Sequence, residues 1–442
     1  MHGPNIEDAL QKAGSAVKML WKPGAPAPTV PVVPPEISGW RQEQRSWEEK
    51  VALLELSHHM FDLFIKGPDA VRLLSYCSAN NYEKFAIGQA KQFVPVSPDG
   101  YLTQDGILLR LADDHFQLIG IGGASNWVSY HAKAGNFDVE LTSDTTSEFR
   151  GADPVQFRFQ IQGPKAQDLL QTLFGAQLDG IKFFHFREIE LDGHTFNALR
   201  HGMAGQAGFE FFGPWGLADF VRGKLLTAGE KYGITEIGGL AYYSAGVDSG
   251  WLATPVAAIY TQDELKGLRQ TISLYSYEGM MPLQGSYYSP NIEDYYCTPF
   301  ELGYGRSVSF NHDFIGREAL MARKNEVRRK KVTLVWNAED VRRVFGADHG
   351  FILSYTRDRV EAGAQLVGTS QYATFVDPAG TVHSLALIDN AHAEPGTEVT
   401  LIWGQHPGPD GGNAPEPVFE RIRATVAPAP YNEVARTSYR AD

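Results

Sequence analysis

The polar side chains that could do chemistry lie inside apolar strands and glycine-rich turns. Glu210 stands between Phe209 and Phe211. If it is buried, its ionised carboxylate can accept two hydrogen bonds from a ligand. If it follows ordinary strand alternation, it faces solvent, and spacing alone leaves the two interpretations even. The other members of this set are Gln160, Gln162, His201, Gln206 and Tyr242.

A nucleotide site is the first alternative to consider. The segment 120–125 follows a predicted strand and is rich in glycine, as in a dinucleotide-binding turn. Its last position is Ser125 rather than Gly, and it follows a hairpin rather than opening a βαβ series. We therefore favour a tight turn, and no GxxxxGK[ST] phosphate loop occurs in the chain.

Metal and thiol chemistry are also disfavoured. His58 and His59 are adjacent, so on a strand their side chains would point to opposite faces, and no HExxH pattern accompanies them. Cys297 follows two tyrosines and is better explained as a small buried apolar residue than as an activated thiolate. The chain also lacks a GxSxG nucleophile elbow. We expect no metal.

Composition narrows the class of protein. The 442 residues are enough for two or three domains, and 39 basic against 52 acidic residues give a net charge of −13. Such a chain repels phosphate backbones, so nucleic acid is a poor partner. Two cysteines cannot form a disulfide framework, and no apolar run reaches the length of a membrane span. We expect a cytoplasmic protein without a membrane partner.

The elements that must position the polar residues include an internal repeat. Residues 61–74 recur as residues 157–170, and the Gly-Pro pairs in the two copies are 96 residues apart. Each copy predicts a strand that ends at Gly-Pro and opens an amphipathic helix. A common strand-to-helix turn would explain part of this likeness, but the identities extend into the helix. We therefore predict two related α+β units that face each other.

Further elements flank the repeat. Apolar spacing predicts one helix over 6–20, capped by Asn5, and the prolines of 22–35 predict an extended strap. Hairpin strands are predicted at 101–111 and 115–119, with a helix over 127–134. Strands at 332–336, 399–403 and 421–426 predict a C-terminal β domain. The expected divisions are 1–35, 36–325 and 326–442.

Two segments carry a family resemblance, namely 298–305 (TPFELGYG) and 313–320 (DFIGREAL). They resemble the glycine cleavage T-protein (aminomethyltransferase) superfamily, which is folate-dependent. Other stretches are similar to its tetrahydrofolate-dependent aryl O-demethylase branch, typified by vanillate/3-O-methylgallate O-demethylase: 57–60, 91–96, 158–165, 199–205, 249–251 and 291–296.

The resemblance implies an α+β, three-domain cloverleaf with tetrahydrofolate at its centre and a C-terminal barrel-like domain. By position, Glu210 would accept the paired N–H donors of the pterin ring. Gln160 or Gln162 would complete those hydrogen bonds, and Phe93 and Trp251 would form flat walls. Ser57 also falls among the cofactor-binding positions that the resemblance implies.

The implied chemistry is attack of folate N5 on the methyl carbon of an aryl ether. Tyr242 matches the active-site tyrosine of the O-demethylases and would protonate the departing phenolate. The alternative is that Tyr242 is a core aromatic residue packed beside Tyr243, in which case it would have no role in proton transfer. The substrate pocket would contain Ile121, Val30, His59 and Tyr243.

Departures from the family pattern bear on the substrate. Gln104 replaces the first carboxylate of an Asp pair in the aminomethyltransferases, which disfavours aminomethyl transfer. Ile121 stands where the aromatic-acid demethylases have Arg, and Val30 stands where they have Tyr. Burying a substrate carboxylate would then be costly, so we expect a neutral aryl methyl ether that yields a phenol and 5-methyltetrahydrofolate. The alternatives are opening of a methylenedioxy bridge, giving a catechol and 5,10-methylenetetrahydrofolate, and a non-catalytic folate-binding protein.

Overall fold

The computed structural model describes residues 3–409 and 418–438. Its N-terminal segment contains helices α1 (Ile6–Ala13), α2 (Ala16–Leu20) and α3 (Trp40–Glu49). The Asn5 side chain caps α1 as predicted, by accepting a hydrogen bond from the N–H of Asp8. The prediction of a single helix over 6–20 is wrong, because Gly14 adopts a left-handed conformation and ends α1, and Ser15 caps a second helix.

The predicted proline strap is confirmed, since residues 22–35 contain no helix or strand. The strap ends against a later part of the chain. The carbonyl oxygens of Pro34 and Pro35 accept hydrogen bonds from the N–H groups of Gly239 and Leu240. These two N–H groups belong to the first turn of a helix and have no partner within it. The strap thus holds the start of the helix that carries Tyr242.

The first α+β unit contains a five-stranded sheet of order β3-β4-β5-β2-β6. The predicted hairpin is confirmed as the antiparallel pair β4 and β5, although its first strand begins at Gly106 rather than 101. The elements are β1 (Val51–Glu55), β2 (Phe61–Lys66), α4 (Ala70–Tyr76), β3 (Ala90–Phe93), β4 (Gly106–Ala112), β5 (His115–Gly120), α5 (Gly123–Ala134), β6 (Glu140–Asp144) and α6 (Ser147–Arg150).

The second unit contains a six-stranded sheet of order β11-β1-β7-β10-β9-β8. Strand β1 therefore lies in this sheet, although it directly precedes the first unit in the chain. The elements are β7 (Gln156–Gln162), α7 (Ala166–Phe174), β8 (Phe186–Leu191), β9 (His194–Leu199), β10 (Gly208–Pro214), α8 (Ala218–Gly229), β11 (Ile234–Ile237) and α9 (Gly239–Asp248).

The two copies of the repeat have matching geometry. Gly67 and Gly163 both follow the repeated strand, with φ of 146° and 134°. A Cβ at Gly67 would lie 2.5 Å from the carbonyl oxygen of Asp138, and one at Gly163 would lie 2.4 Å from that of Lys50. The strands that precede the copies are exchanged, since β1 pairs with β7 and β6 pairs with β2. This reciprocal exchange holds the two units together.

Three short helices connect these units to the C-terminal region: α10 (Lys266–Thr271), α11 (Tyr277–Met280) and α12 (Arg317–Arg323). Six strands there close into a barrel of order β15-β14-β17-β18-β12-β16, because β16 also pairs with β15. The elements are β12 (Arg329–Trp336), α13 (Ala338–Phe345), β13 (Leu353–Ser354), β14 (Asp358–Ala362), β15 (Gln365–Val376), β16 (Thr381–Asp389), β17 (Glu398–Trp403), β18 (Glu420–Ala427) and α14 (Glu433–Arg436).

The α+β fold class is confirmed, and the exact domain boundaries stay predictions. One apolar core joins α3 and α9 to the barrel and includes Trp47, Ala241, Leu334 and Val360. Among the described helices, none is both long and apolar enough to cross a membrane.

Candidate active site

A cavity of about 610 Å³ lies where the two α+β units, the barrel and the segment after α9 meet. The first unit contributes Gln92, the second contributes Glu210, and the barrel contributes Lys331. Trp251 lines the cavity from the segment that follows α9. This volume is in the range of pockets that enclose a cofactor-sized molecule.

Glu210 is buried in this cavity and is not free of partners. Its Oε1 accepts a hydrogen bond from the Arg158 guanidinium, and its Oε2 accepts one from Gln160 Nε2 at 3.2 Å. Arg158 also lies 3.4 Å from Asp62 Oδ1. The two carboxylates therefore share the single positive charge of the guanidinium at one end of the cavity. We call this end of the cavity, which is formed by Arg158, Met203 and Glu210, the closed end. Its side chains are shielded from solvent, since Arg158 is 2% exposed and Glu210 is 5% exposed.

Strand alternation explains how Arg158 reaches this position. Residues 156, 158, 160 and 162 of β7 share one face, while Phe157, Phe159 and Ile161 point into the core. Glu210 of β10 stands directly opposite Gln160. Sequence analysis missed Arg158 as a site residue, although its place two residues before Gln160 was a usable signal.

The amides of Gln160 and Gln162 bind the loop that follows β9. Gln160 Oε1 accepts the N–H of Met203 at 2.9 Å. Gln162 accepts the N–H of Ala204 and donates to the carbonyl of Gln206, at 2.5 and 2.8 Å. Both side chains thus position the loop that lines the cavity. Their predicted hydrogen bonds to a pterin stay predictions.

A second buried carboxylate orients Trp251. Asp105 Oδ2 accepts hydrogen bonds from Trp251 Nε1 at 3.0 Å, Tyr304 Oη at 2.8 Å and Gln92 Nε2 at 2.6 Å. Burial raises the pKa of Asp105, and the hydrogen bonds from Tyr304 and Trp251 oppose that shift. Three donors from three segments of the chain therefore hold Trp251 in the cavity wall.

Tyr242 forms a hydrogen-bonded pair with His59. Helix α9 carries Tyr242, and its Oη lies 2.7 Å from Nε2 of His59. Burial raises the pKa of Tyr242 well above its usual value and lowers the pKa of His59 to about 3. Both rings are therefore neutral at pH 7. His59 Nδ1 is also buried and has no partner among the described residues.

The residues predicted to contact the substrate are distributed between two apolar core clusters. Val30 and Tyr242 belong to one core cluster, against which Tyr243 and Trp251 pack. Ile121, Tyr243 and Trp251 each pack against a second core cluster. We use the name tyrosine pocket for the residues predicted to surround the substrate: Val30, His59, Ile121, Tyr242 and Tyr243.

The tyrosine pocket abuts the cavity. Met60 and Gly120, the chain neighbours of His59 and Ile121, line the cavity. Trp251 lines it as well and packs against the core cluster that contains Val30 and Tyr242.

Two residues implied by the resemblance lie outside this cavity wall. Phe93 is fully buried and stacks on Tyr82, with ring centroids 6.3 Å apart and an interplanar angle of 12°. Ser57 Oγ accepts the N–H of Arg158 at 2.8 Å and donates to Glu55. Ser57 therefore ties β1 to β7, and neither position supports direct contact with a cofactor.

His58 and His59 lie in a turn, so the argument that a strand would point their side chains to opposite faces does not apply to them. In residues 3–409 and 418–438, no group of three or more His, Cys, Asp or Glu side chains could hold a metal ion. Both cysteines are buried, and burial raises the pKa of Cys297 to about 12. That shift opposes formation of a thiolate.

The fold is similar to that of a solved aminomethyltransferase. Glycine cleavage system aminomethyltransferase T from Bartonella henselae matches with a TM-score of 0.61 and 20% identity, over 96% of each chain. The chain also matches the GCVT N-terminal domain family over residues 32–255. The chain belongs to this family.

Curated relatives refine this assignment. The chain is 38% identical to syringate O-demethylase from Sphingobium sp. strain SYK-6, over 98% of this chain and 97% of that protein. It is 26% identical to sesamin methylene transferase from Sinomonas sp. strain No.22, over 92% of each. It is 28% identical to an aminomethyltransferase from Lysinibacillus sphaericus, over 84% of this chain and 87% of that protein. The chain is accordingly an enzyme, a tetrahydrofolate-dependent transferase, as predicted.

The residues present fit tetrahydrofolate. The closed end offers a buried carboxylate, Glu210, to a group that donates paired N–H bonds, and Trp251 offers a flat wall. The other end of the cavity is lined by cations, which suits the carboxylates of the folate tail. The cavity therefore matches the cofactor in volume, hydrogen bonding and charge.

Proposed function

We propose that this enzyme demethylates a neutral aromatic methyl ether and releases a phenol and 5-methyltetrahydrofolate. The observation that carries the proposal is the Tyr242–His59 pair, which is buried in apolar surroundings and adjoins the cavity. The relative named syringate O-demethylase supports the same type of reaction.

Tetrahydrofolate, when bound, supplies the nucleophilic N5 that accepts the methyl group. The tyrosine pocket would hold the ether so that its methyl carbon faces the cavity. Tyr242 is protonated at neutral pH because burial raises its pKa. Its hydroxyl can donate a hydrogen bond to the departing oxygen and relay to it the proton that N5 releases on methylation, so that the phenol leaves neutral and Tyr242 is again protonated afterwards.

His59 holds the Tyr242 hydroxyl through its Nε2. Because its pKa is lowered to about 3, the imidazole adds no charge to the pocket at neutral pH. The dry walls of Val30, Ile121 and Trp251 exclude water from the ether oxygen. The pair and its walls together provide a proton donor in a low-dielectric pocket.

The proposed neutrality of the substrate follows from the charges near this pocket. Arg158 faces both Glu210 and Asp62, so its charge is already compensated. Val30 and Ile121 offer no charge to a substrate carboxylate. Burying such a carboxylate without a cation would oppose binding.

Methylene transfer is the second candidate, and the relative named sesamin methylene transferase favours it. A methylenedioxy bridge placed against Tyr242 would open to a catechol and give 5,10-methylenetetrahydrofolate. The two departing oxygens would take up the protons that N5 and N10 release, and the same tyrosine would relay them. A non-catalytic folate-binding protein is excluded, because the chain is an enzyme.

Anaerobic incubation with tetrahydrofolate and matched aryl ethers tests these proposals. The panel contains a neutral methoxyarene, its carboxylated counterpart and a methylenedioxyarene, and mass spectrometry identifies the folate product. We expect phenol and 5-methyltetrahydrofolate from the neutral methoxyarene. Turnover of only the carboxylated ether would show that the argument from Ile121 and Val30 is wrong. A methylene-folate product would establish the second candidate instead.

A further inference from the structure

The turn that carries His59 is held by a serine that lies outside the cavity. His58, the residue before His59, is bound twice by Ser147 of α6. The His58 carbonyl oxygen accepts the N–H of Ser147 at 2.7 Å, and its Nδ1 lies 2.9 Å from the Ser147 hydroxyl. That carbonyl belongs to the peptide group that joins His58 to His59. One serine therefore holds both the His58 ring and the peptide group that precedes His59.

Arg150 determines how the Ser147 hydroxyl is oriented. Arg150 Nη1 donates to Ser147 Oγ at 2.9 Å. The hydroxyl can then give its own proton to Nδ1 of His58, which leaves the His58 proton on Nε2. Burial lowers the pKa of His58, and the charge of Arg150 lowers it further, so this ring is neutral at pH 7. A chain of hydrogen bonds thus runs from Arg150 through Ser147 to His58.

This chain of hydrogen bonds is anchored in the sheet of the first unit. Arg150 Nε forms an ion pair with Asp144, and the two side chains are 8% and 5% exposed. The Asp144 carboxylate also accepts the N–H of Val155 at 2.9 Å. Asp144 is the last residue of β6, which pairs with β2. Helix α6 therefore keeps its place relative to that sheet.

The second unit also contacts the turn. The ring of Trp215, which follows β10, meets the His58 ring edge to face, with centroids 5.5 Å apart and an interplanar angle of 76°. Ser57, on the other side of His58 in the chain, accepts the N–H of Arg158 on β7 at 2.8 Å. Both units therefore hold the turn from which His59 reaches Tyr242.

We propose that His58 and Ser147 are positioning residues, which hold His59 at its hydrogen-bonding distance of 2.7 Å from Tyr242. Neither of the two side chains lines the cavity. The Nδ1 of His59 is buried and has no partner in the described part of the chain, so the orientation of its ring depends on Tyr242 and on the preceding peptide group. The consequence for catalysis rests on the proposed role of Tyr242 in proton transfer.

Nitrogen NMR of protein made with isotope-labelled histidine tests the positioning without turnover. The Nε2 resonance of His59 is identified by its loss in His59→Phe, and Tyr242→Phe shows how it moves when the hydrogen bond is absent. We expect Ser147→Ala and His58→Phe each to move it in the same direction as Tyr242→Phe does. Ser147→Thr, which keeps the hydroxyl, and Ser143→Ala, at an exposed position of β6, should leave it in place.

Kinetics measure what this positioning contributes to the reaction. A small displacement of a group from its productive geometry slows the chemical step more than it weakens binding. We expect kcat for phenol release to fall about five- to tenfold in Ser147→Ala, with the KM for the ether and the Kd for tetrahydrofolate within about twofold. In a His59→Phe background, Ser147→Ala should change kcat by less than about twofold, because the residue through which it acts is gone.

The outcomes separate this inference from the proposed function. A His59 resonance that stays in place in both Ser147→Ala and His58→Phe would overturn the inference, even if the wild-type enzyme is fully active. An equal fall in kcat in the His59→Phe background would also overturn it, because Ser147 would then act independently of His59. If the resonance moves as expected but wild type releases no phenol from any ether of the panel, the positioning stands and the proposed function is wrong.

Discussion

At the scale of single residues, the site depends on where protons and charges are held. Tyr242 and His59 are both neutral, and their hydrogen bond places a proton donor against an apolar pocket. Arg158 forms an ion pair with Glu210 at the closed end. Proton transfer and cofactor binding are therefore assigned to different residues, and single substitutions should separate them.

Replacing Tyr242 by Phe removes the proposed proton donor and keeps the ring. We expect kcat for phenol release to fall about 100-fold or more. The Kd for tetrahydrofolate should stay within about twofold, because binding relies on interactions at the cavity and not on this hydroxyl. Chromatography of released phenol and fluorescence quenching measure the two quantities. Tyr260→Phe, at a buried tyrosine that does not line the cavity, serves as the matched control and should retain most of kcat. Full activity in Tyr242→Phe would remove that residue from the mechanism.

Replacing Glu210 by Gln should act on the cofactor first. The amide cannot accept paired N–H bonds as an anion does, so we expect the Kd for tetrahydrofolate to rise about tenfold or more. Arg158 would keep only Asp62 as a carboxylate partner, which should lower the free energy of unfolding by about 2 kcal/mol.

Glu236→Gln is the matched control, since Glu236 pairs with Arg222 at a partly exposed position. It should change stability by less than about 0.5 kcal/mol and leave the Kd unchanged. An unchanged Kd in Glu210→Gln, measured by fluorescence quenching, would contradict the assignment of the closed end.

At the scale of elements, the repeat and the strap position these residues. Strand β7 carries Arg158 and Gln160 on one face, and the adjoining Gly163 lets the chain turn into α7 against the backbone of Lys50. The strap ends on the first turn of α9, where Val30 packs against Gly239. Local backbone geometry thus determines where Tyr242 and the closed end lie.

Alanine at either repeat glycine should destabilise the protein by a similar amount. The new Cβ would lie within 2.5 Å of a carbonyl oxygen, at a φ that alanine rarely adopts. We expect Gly67→Ala and Gly163→Ala each to lower the free energy of unfolding by about 2 kcal/mol or more, measured by denaturant titration.

The matched control is Gly216→Ala, where a Cβ meets no atom within 4 Å and φ is ordinary. It should change stability by less than about 0.5 kcal/mol. If only one of the two repeat glycines proved sensitive, the geometric equivalence of the two copies would not extend to their energetics.

At the scale of the whole molecule, α3 and α9 connect the second unit to the barrel through one apolar core. Asp248, the last residue of α9, is buried in this junction, and its side chain accepts one hydrogen bond, from Trp47 Nε1 at 3.2 Å. Burial raises its pKa to about 8. The junction therefore contains a carboxyl group that is protonated in the folded protein at neutral pH.

This group should make stability fall as pH rises. In the unfolded chain Asp248 loses its proton near pH 4, whereas in the folded protein it keeps the proton up to about pH 8. Between these values folding takes up a proton, so this group lowers the free energy of unfolding by up to about 1.4 kcal/mol per pH unit. Above about pH 8 its contribution is constant.

Asp248→Asn removes this titration. We expect the free energy of unfolding of the variant, relative to wild type, to rise steadily from pH 5 to about pH 8 and then level off. Denaturant titrations of both proteins across that range measure the difference. A difference that does not vary with pH would contradict the buried, protonated carboxyl.

Local patterns in the amino-acid sequence were sufficient to predict several of these features. The Asn5 cap, the proline strap, the hairpin of β4 and β5 and the repeated strand-to-helix turn all follow from neighbouring residues, because capping, proline geometry and strand alternation act over a few positions. The resemblance to the family singled out Glu210, Trp251 and Tyr242. Glu210 and Trp251 line the cavity, and Tyr242 is hydrogen-bonded to His59.

Other features depend on segments that are far apart in the chain. Three contacts arise only when the strands are in register and the barrel closes on them. They are the pair of Arg158 with Glu210, the pair of Tyr242 with His59, and the three donors around Asp105. The exchange of β1 and β6 between the two units has the same origin. No local pattern encodes which distant partner satisfies a buried polar group, because that choice is made by the packing of the folded chain.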